Sequence, residues 1–328
     1  MKKTKAISAV LLLAGLLGAV QVALAAFPDR PLRLIVPYPP GATNDKLGRA
    51  LAERLSRELA QPVVVENRGG AATAIGAQAA ATAAPDGYTM LLGTTTTYVV
   101  NPLVRTDLPY APDRDFKTVQ IVAETPEVLV ANVKSPFKTL RDVSDYAAAH
   151  PGEVMYSSSG TGSSLHLAAE GFAARAGIKL KHIPYQGSAP AMFALIKGEV
   201  PLMSEVLSGA VAQAQAGQVR VLAIGSANRI ALLPDVPTFI ESGYPGFRVA
   251  GWFALAVPRA TPDAIVERLR LAINRVLLDP GLVAAFQNDG MQITPPRDAA
   301  QVQAYVDAEK ALWSGIVKLV AAKGGLEQ

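Results

Sequence analysis

The sequence predicts an α/β fold of two domains, and three observations predict it. β-branched apolar runs alternate with stretches of helical period, the order that builds βαβ units on a parallel sheet. Strand, glycine loop and helix start occur together twice, near Leu32 to Asp45 and again near Val154 to Ala176. Two further β-rich runs, near Thr125 and near Ala250, mark places where the chain leaves one domain and later returns to it. At 328 residues, 50% of them hydrophobic, the chain is long enough for about two domains with a large core.

The first residues stand apart from that fold. Lys2, Lys3 and Lys5 precede an apolar run from Ala6 to Val20, and Ala23-Leu24-Ala25 presents small residues where a signal peptidase reads. We expect a signal peptide over 1–25, cleaved after about Ala25, and an exported, soluble mature chain. The run is short for a membrane span, and polar Gln21 follows it directly. With 0 Cys, disulfides, a lipid-modified cysteine and thiol catalysis are excluded. Three of the 31 basic residues belong to the leader, so the remainder nearly balances the 27 acids. No basic run or basic stripe with interleaved aromatics points to nucleic acid.

Leu32 to Val36 is a strand that breaks at Pro37, Pro39 and Pro40, turns through Gly41 and enters a helix at Asn44 and Asp45. Prolines stiffen such a loop, and Gly41 lets the backbone approach a guest. First-turn amides of a helix lack internal partners and carry the positive end of its dipole, so the loop can hold an anion without a basic side chain. A plain strand-to-helix connection, capped by Asn44 or Asp45, is the competing account. Leu47, Leu51, Leu55 and Leu59 give the helix an apolar face. Val63 to Asn67 is the next strand, Gly69-Gly70 a turn, Ile75 to Ala83 a close-packed helix, and Thr89 to Leu92 a third strand. The latter ends in the hydroxyl-rich loop Thr94 to Thr97. Ligands of open parallel sheets sit outside the carboxyl ends of such strands.

Asn101 to Asp115, with three prolines and several charges, predicts a surface loop. Val119 to Ala123 and Val128 to Val133 predict two strands around a turn at Thr125-Pro126, where we place the first crossing. The opening pattern then returns: strand Val154 to Ser157, loop Ser158 to Ser164, and a helix from Leu165 to Ala176 closed by Gly177. Lys179 to Ile183 is a strand leading into Pro184-Tyr185-Gln186-Gly187-Ser188, and Pro190 to Lys197 is a helix. Val200 to Met203 runs into Ser204-Glu205, Val211 to Ala216 is helical, and Val219 to Ile224 is a strand. Arg248 to Val257 is the second crossing, and helices from Thr261 to Leu278, from Pro280 and from Asp298 to Lys323 complete the chain. The resulting domains are 26–125 with 250–328, and 126–249.

Catalytic patterns are missing. Serines near His166 do not form a Gly-x-Ser-x-Gly elbow, and Leu165 stands where a dinucleotide loop needs its third glycine. Neither a Gly-Lys-Ser/Thr phosphate loop nor a carboxylate-histidine metal spacing accompanies His150, His166 and His182. We expect no enzyme, no cofactor and no metal.

Taken together, FPDRPLRLIVPYPPGATND, QPVVVENRGG, APDGYTMLLG, YSSSGTGSSLHLAAE, KHIPYQGSAPA, RVLAIGSANRIALLPDVPTFIESGYPG and WFALAVP closely resemble the Bug (Bordetella uptake gene) or TctC family. The motifs cover essentially the whole mature chain in one order. The resemblance implies a periplasmic solute receptor of a tripartite tricarboxylate transporter, built like a type II periplasmic binding protein with two crossing strands as its hinge. It implies a small organic carboxylate in the cleft, large and small membrane permease subunits as partners, and a monomer. Residue by residue, it implicates Tyr38, Gly41, Ala42, Thr43 and Asp45 from the first loop and Ser158, Gly160, Thr161, Gly162 and Ser163 from the second. Thr94, Thr95, Gly187, Ser188 and Glu205 complete the implied pocket. This chain has Ala42 where the family usually has glycine, and Glu205 where it often has Asp. A solute sensor that hands its bound form to a signalling partner is the alternative.

Overall fold

Residues 27–322 are described by a computed structural model; the predicted leader, 1–25, lies outside the described residues. β1 (Leu32–Val36) is the middle of three parallel strands, between β2 (Val63–Asn67) and β3 (Thr89–Thr94). Leu34, Ile35 and Val36 are fully buried, as a strand covered on both faces requires. One cover is α1 (Thr43–Leu59), whose Leu47, Leu51, Leu55 and Leu59 form the predicted inward face. The other includes α2 (Ala74–Ala81), which buries Ala74, Ala77 and Ala80. Small residues let α2 sit directly behind the first loop: a Cβ on Gly76 would stand 2.7 Å from Pro37.

Two antiparallel strands extend this sheet, β4 (Phe116–Asn132) and β9 (Ala250–Pro258), in the order β2-β1-β3-β9-β4. β10 (Gln292–Ile293) pairs with the first half of β4. The predicted turn at Thr125-Pro126 is replaced by one continuous 17-residue strand. Pro126 is tolerated because it falls where β4 changes partners: its pair with Ala250 ends the ladder to β9, and Glu127 opposite Val206 begins the next. The second half of β4 carries β7 (Leu202–Val206) and β8 (Val219–Ile224), both antiparallel to it. β5 (Met155–Ser158) runs parallel to β7, and β6 (Lys181–Pro184) runs parallel to β5.

The two sheets are tied at one level of backbone. Glu127 donates to the Val249 carbonyl at 3.1 Å, Gly225 to the Glu127 carbonyl at 2.7 Å, and Val249 to the Gly225 carbonyl at 2.9 Å. No side chain fits at 225, since a Cβ there would stand 2.2 Å from the Val249 carbonyl oxygen.

Helices follow most of the strands, while β8 leads to β9 without one. α3 (Asn101–Val104) and α4 (Pro112–Asp115) replace the surface loop predicted for Asn101 to Asp115. That segment is anchored inward: Asn101 is buried and donates to the Ala72 carbonyl at 2.7 Å, and the Tyr110 hydroxyl donates to the Thr97 carbonyl at 2.7 Å. Ala71, Ala72 and Thr73 all take positive φ, 48°, 49° and 79°, an unfavourable run for residues with a Cβ that these anchors hold in place. α5 (Leu140–Ala149), α6 (Ser164–Ala176), α7 (Ser188–Lys197) and α8 (Leu207–Gln215) clothe the second sheet. α9 (Asp263–Leu277) and α10 (Pro280–Gln287) return to the first.

The last helix, α11 (Ala299–Ala322), starts beside β4, where Gln120 donates to the Arg297 carbonyl at 2.8 Å. It then lies along α6, with Ile316 3.0 Å from where a Cβ on Gly171 would be. One apolar cluster accordingly runs through both halves, joining Leu129 and Phe172 to Trp252, Trp313 and Ile316. Tyr98 stacks on Trp252 with ring centroids 5.7 Å apart.

Candidate functional site

The first loop is built around Asp45. Its carboxylate accepts from the Gly41 amide at 2.9 Å, from Arg49 Nε at 3.0 Å and from Asn67 Nδ2 at 3.0 Å. Burial opposes the charge, but Arg49, the Gly41 amide and Asn67 outweigh it and hold the carboxyl below its usual range. Asn67, at the end of β2, also donates to the Tyr38 carbonyl at 3.1 Å. Gly41 turns at φ 81°, a conformation that glycine takes without strain. Ala42 occupies the N-cap position of α1 with no side-chain cap, so the helix start at Thr43 and Asn44 is left open. Asp45 thus orders the loop instead of capping the helix.

Beyond the loop, the Tyr38 hydroxyl lies 3.1 Å from Thr94 Oγ1. Burial raises the Tyr38 pKa, and the charges of Glu205 and Glu127 raise it further. Thr95 has a different assignment from its neighbour: its hydroxyl accepts from the Trp252 amide at 2.9 Å and so braces β9. Thr96, which sequence reasoning did not single out, accepts from the Ser164 amide at 3.3 Å. That bond links the end of β3 to the start of α6, one loop to the other.

The second loop is a network of small groups. Ser163 caps α6, accepting from the His166 amide at 3.2 Å, and its hydroxyl donates to the Gly160 carbonyl at 2.7 Å. Gly160 and Gly162 turn at φ 135° and 74°, and Thr161 between them is exposed. Buried Ser158 lies 2.7 Å from His182 Nε2, and its oxygen also accepts from the Gly160 amide at 3.2 Å. His182 stacks on His166 with ring centroids 4.1 Å apart. The Gly162 amide donates to His166 Nδ1 at 3.2 Å, which places the proton of a neutral ring on Nε2. Burial pushes His166 down to about 4; burial and then the neighbouring His166 push His182 down to about 3. Both rings are uncharged at neutral pH and position the loop.

Gly187 ties the third loop to the second, donating to the Ser159 carbonyl at 3.2 Å. Ser188 opens α7 and donates to Glu205 Oε1 at 3.0 Å. Glu205 is the penultimate residue of β7, and burial pushes it up to about 7. Glu127, on β4 at the crossing, is the residue that sequence reasoning missed; burial pushes it up to about 8, and Glu205 adds to this. Its signal is an isolated acid within the apolar run TPEVLVAN.

The structure therefore gathers Tyr38, Thr94, Ser188 and Glu205 around one buried floor, between two loops that each end at a helix start. Among the described residues no cluster of His, Cys, Asp or Glu could hold a metal ion, and no helix is long and apolar enough to cross a membrane. Backbone donors and hydroxyls gathered at two helix starts suit a small anion.

Two α/β lobes joined at crossing strands define the class of periplasmic binding proteins. Comparison with known proteins gives the family. The profile of the tripartite tricarboxylate transporter family receptor, TctC, matches residues 47–321, and the chain belongs to that family. BugT of Bordetella pertussis is 37% identical over 93% of this chain and 94% of its own. A protein from the tcbD-tcbE intergenic region of a Pseudomonas sp. is 38% identical over 82% of this chain and 80% of its own. Among solved structures, an R. palustris protein with adipate superposes with TM-score 0.85 at 33% identity, covering 90% of this chain and 98% of its own. MatC from Rhodopseudomonas palustris with bound malate gives TM-score 0.83 at 30% identity, covering 89% and 100%.

Proposed function

We propose that this chain is an exported receptor that closes over a small organic carboxylate and delivers it to a tripartite tricarboxylate transporter permease. The observation that carries the reading is the pairing of two loops, each leading into a helix start, from opposite sheets. Thr43 and Asn44 offer the open amides of α1 behind the turn at Gly41 and Ala42, and Thr161 is the exposed residue of a second loop shaped by Ser158, Gly160, Gly162 and Ser163. Tyr38, Thr94, Gly187, Ser188 and Glu205 line the floor, while Thr95 and Asp45 hold the framework. The adipate and malate of the two similar structures support the choice of ligand class.

In this mechanism, one carboxylate enters the open cleft and meets the loop of one domain. The bodies 26–125 with 250–328, and 126–249, then rotate about β4 and the backbone tie at Val249 and Gly225. Closure removes water and strengthens each polar contact. The permease reads the closed surface, so binding energy is coupled to docking. The leader over 1–25 supplies export to the periplasm, where the mature chain acts as a monomer with no cofactor and no catalytic step.

A thermal-shift screen of the mature protein against organic acids, with their amides as controls, tests this. Ligand at about a hundred times its dissociation constant adds ~2.7 kcal/mol. Stabilisation by an acid but not by its amide supports the reading; a melt that no acid moves refutes it. Replacing Ser158 and Thr161 by Ala weakens binding if the second loop is assigned correctly.

A further inference from the structure

Two carboxylates are buried in the floor, and among the described residues no cation is set against them. Glu127 and Glu205 are each 1% exposed. Glu205 faces the Ser188 hydroxyl from α7, Gly209 and the Val206 amide from the start of α8, Glu127 from β4 and Tyr38 from the first loop. Glu127 faces Ser164 from α6, Glu205 from β7 and Glu309 from α11. The nearby arginines are engaged elsewhere: Arg248 lies 3.5 Å from Glu309, and Arg297 lies 3.2 Å from Glu124.

Ionising both acids here is costly, because neither charge has a counterion among the described residues. Burial accordingly keeps Glu205 largely in its acid form up to about 7. The position of that proton follows from the hydrogen bonds. Glu205 Oε1 already accepts from the Val206 amide at 2.8 Å and from the Ser188 hydroxyl at 3.0 Å. Oε2 has no hydrogen-bond partner among the described residues. The proton therefore resides on Oε2, which becomes an unpartnered donor buried in the floor.

We propose that Glu205 determines specificity as a neutral acid, its Oε2–H donating to a carboxylate or carbonyl oxygen at the ligand's far end, so that a diacid binds together with a proton. An ammonium at that end meets a donor and is disfavoured. This rests on the receptor reading above and adds to it the chemistry of the second ligand group. Gln at 205 reproduces the acid form, with an acceptor for Ser188 and Val206 and a donor in place of Oε2–H.

The test is calorimetric titration of the mature protein from about pH 6 to about pH 9, each ligand in two buffers of different ionisation heat. The probes are adipate, 6-aminohexanoate and hexanoate, with succinate, 4-aminobutyrate and butyrate as a shorter set. The expected result is proton uptake with the diacid, and a diacid affinity that falls about tenfold per pH unit above the Glu205 pKa. The fall is absent in Glu205→Gln, whatever its absolute affinity, and persists in Glu127→Gln. Glu205→Leu, with its melt checked, loses the diacid preference at every pH. A flat wild-type profile, a fall that survives in Glu205→Gln, or an amino acid bound as tightly as its diacid overturns the proposal and leaves the receptor reading standing. If none of the six acids binds at any pH, the receptor reading fails with it.

Discussion

Replacing Asp45 by Ala removes the group on which the first loop is assembled. Its side chain is 5% exposed and holds the Gly41 amide, Arg49 and Asn67 at 2.9 to 3.0 Å. Hydrogen bonds to a charged group contribute ~1.5–3 kcal/mol each. The Arg49 side chain is 56% exposed and returns to water, so its share is small. The Gly41 and Asn67 bonds leave a net loss of about 3 kcal/mol for Asp45→Ala, and about 1 kcal/mol for Asp45→Asn, which keeps an acceptor. At ~2–4 °C per kcal/mol the first corresponds to a drop of about 6–12 °C in Tm. Because the folded pKa is lowered, this stability is fully present above the unfolded carboxylate pKa and is lost as pH falls through the folded value. Circular-dichroism melts of wild type and variant at neutral pH and at about pH 3 therefore show a gap that narrows in acid. A Tm within about 1 °C of wild type at neutral pH would refute the role assigned to Asp45.

The remaining predictions concern hinge, strain and acid. Gly225→Ala drives a Cβ to 2.2 Å from one backbone oxygen and 2.9 Å from another, and unfolds in urea at least ~3 kcal/mol earlier. Gly217→Ala, at φ 67° with open space around it, costs only about 1 kcal/mol in the same assay. Ala72→Gly relieves a left-handed alanine worth ~1–2 kcal/mol, partly offset by unfolded-state entropy, and raises Tm by about 2 °C. His166 is held neutral, so the unfolded state binds the extra proton; stability is lost as pH falls from the unfolded histidine value toward about 4. A melt series over that window shows the loss, and His166→Gln lessens it, with His182 supplying the remainder.

Much of this was legible because the loops carry local signals. The Ser-Gly-Thr-Gly-Ser run announces glycine turns and a capping serine, and the structure uses Gly160, Gly162 and Ser163 for those purposes. The leucine spacing of α1 reports the apolar face directly. What the sequence concealed depends on partners distant in the chain. Pro126 reads as a breaker, yet β4 continues, because the strand exchanges β9 for β7 and β8 at that residue. Asn101 and Tyr110 look like surface polars, but the strained turn at Ala71 to Thr73 and the carbonyl of Thr97 satisfy them inside. Thr95 has the composition of a ligand contact and serves as a brace for Trp252. Glu127 could not be placed until the crossing strands brought Glu205 and Glu309 around it.

The measurement that bears most directly on the account is a crystal structure of the mature protein with the acid that stabilises it most. The expected result is a carboxylate whose oxygens lie ~3 Å from amides or hydroxyls of both loops, at the start of α1 and at Ser158 to Ser163. An acid seated instead in the surface groove lined by Arg54, Arg57 and Arg275, with the cleft unaltered, would contradict it.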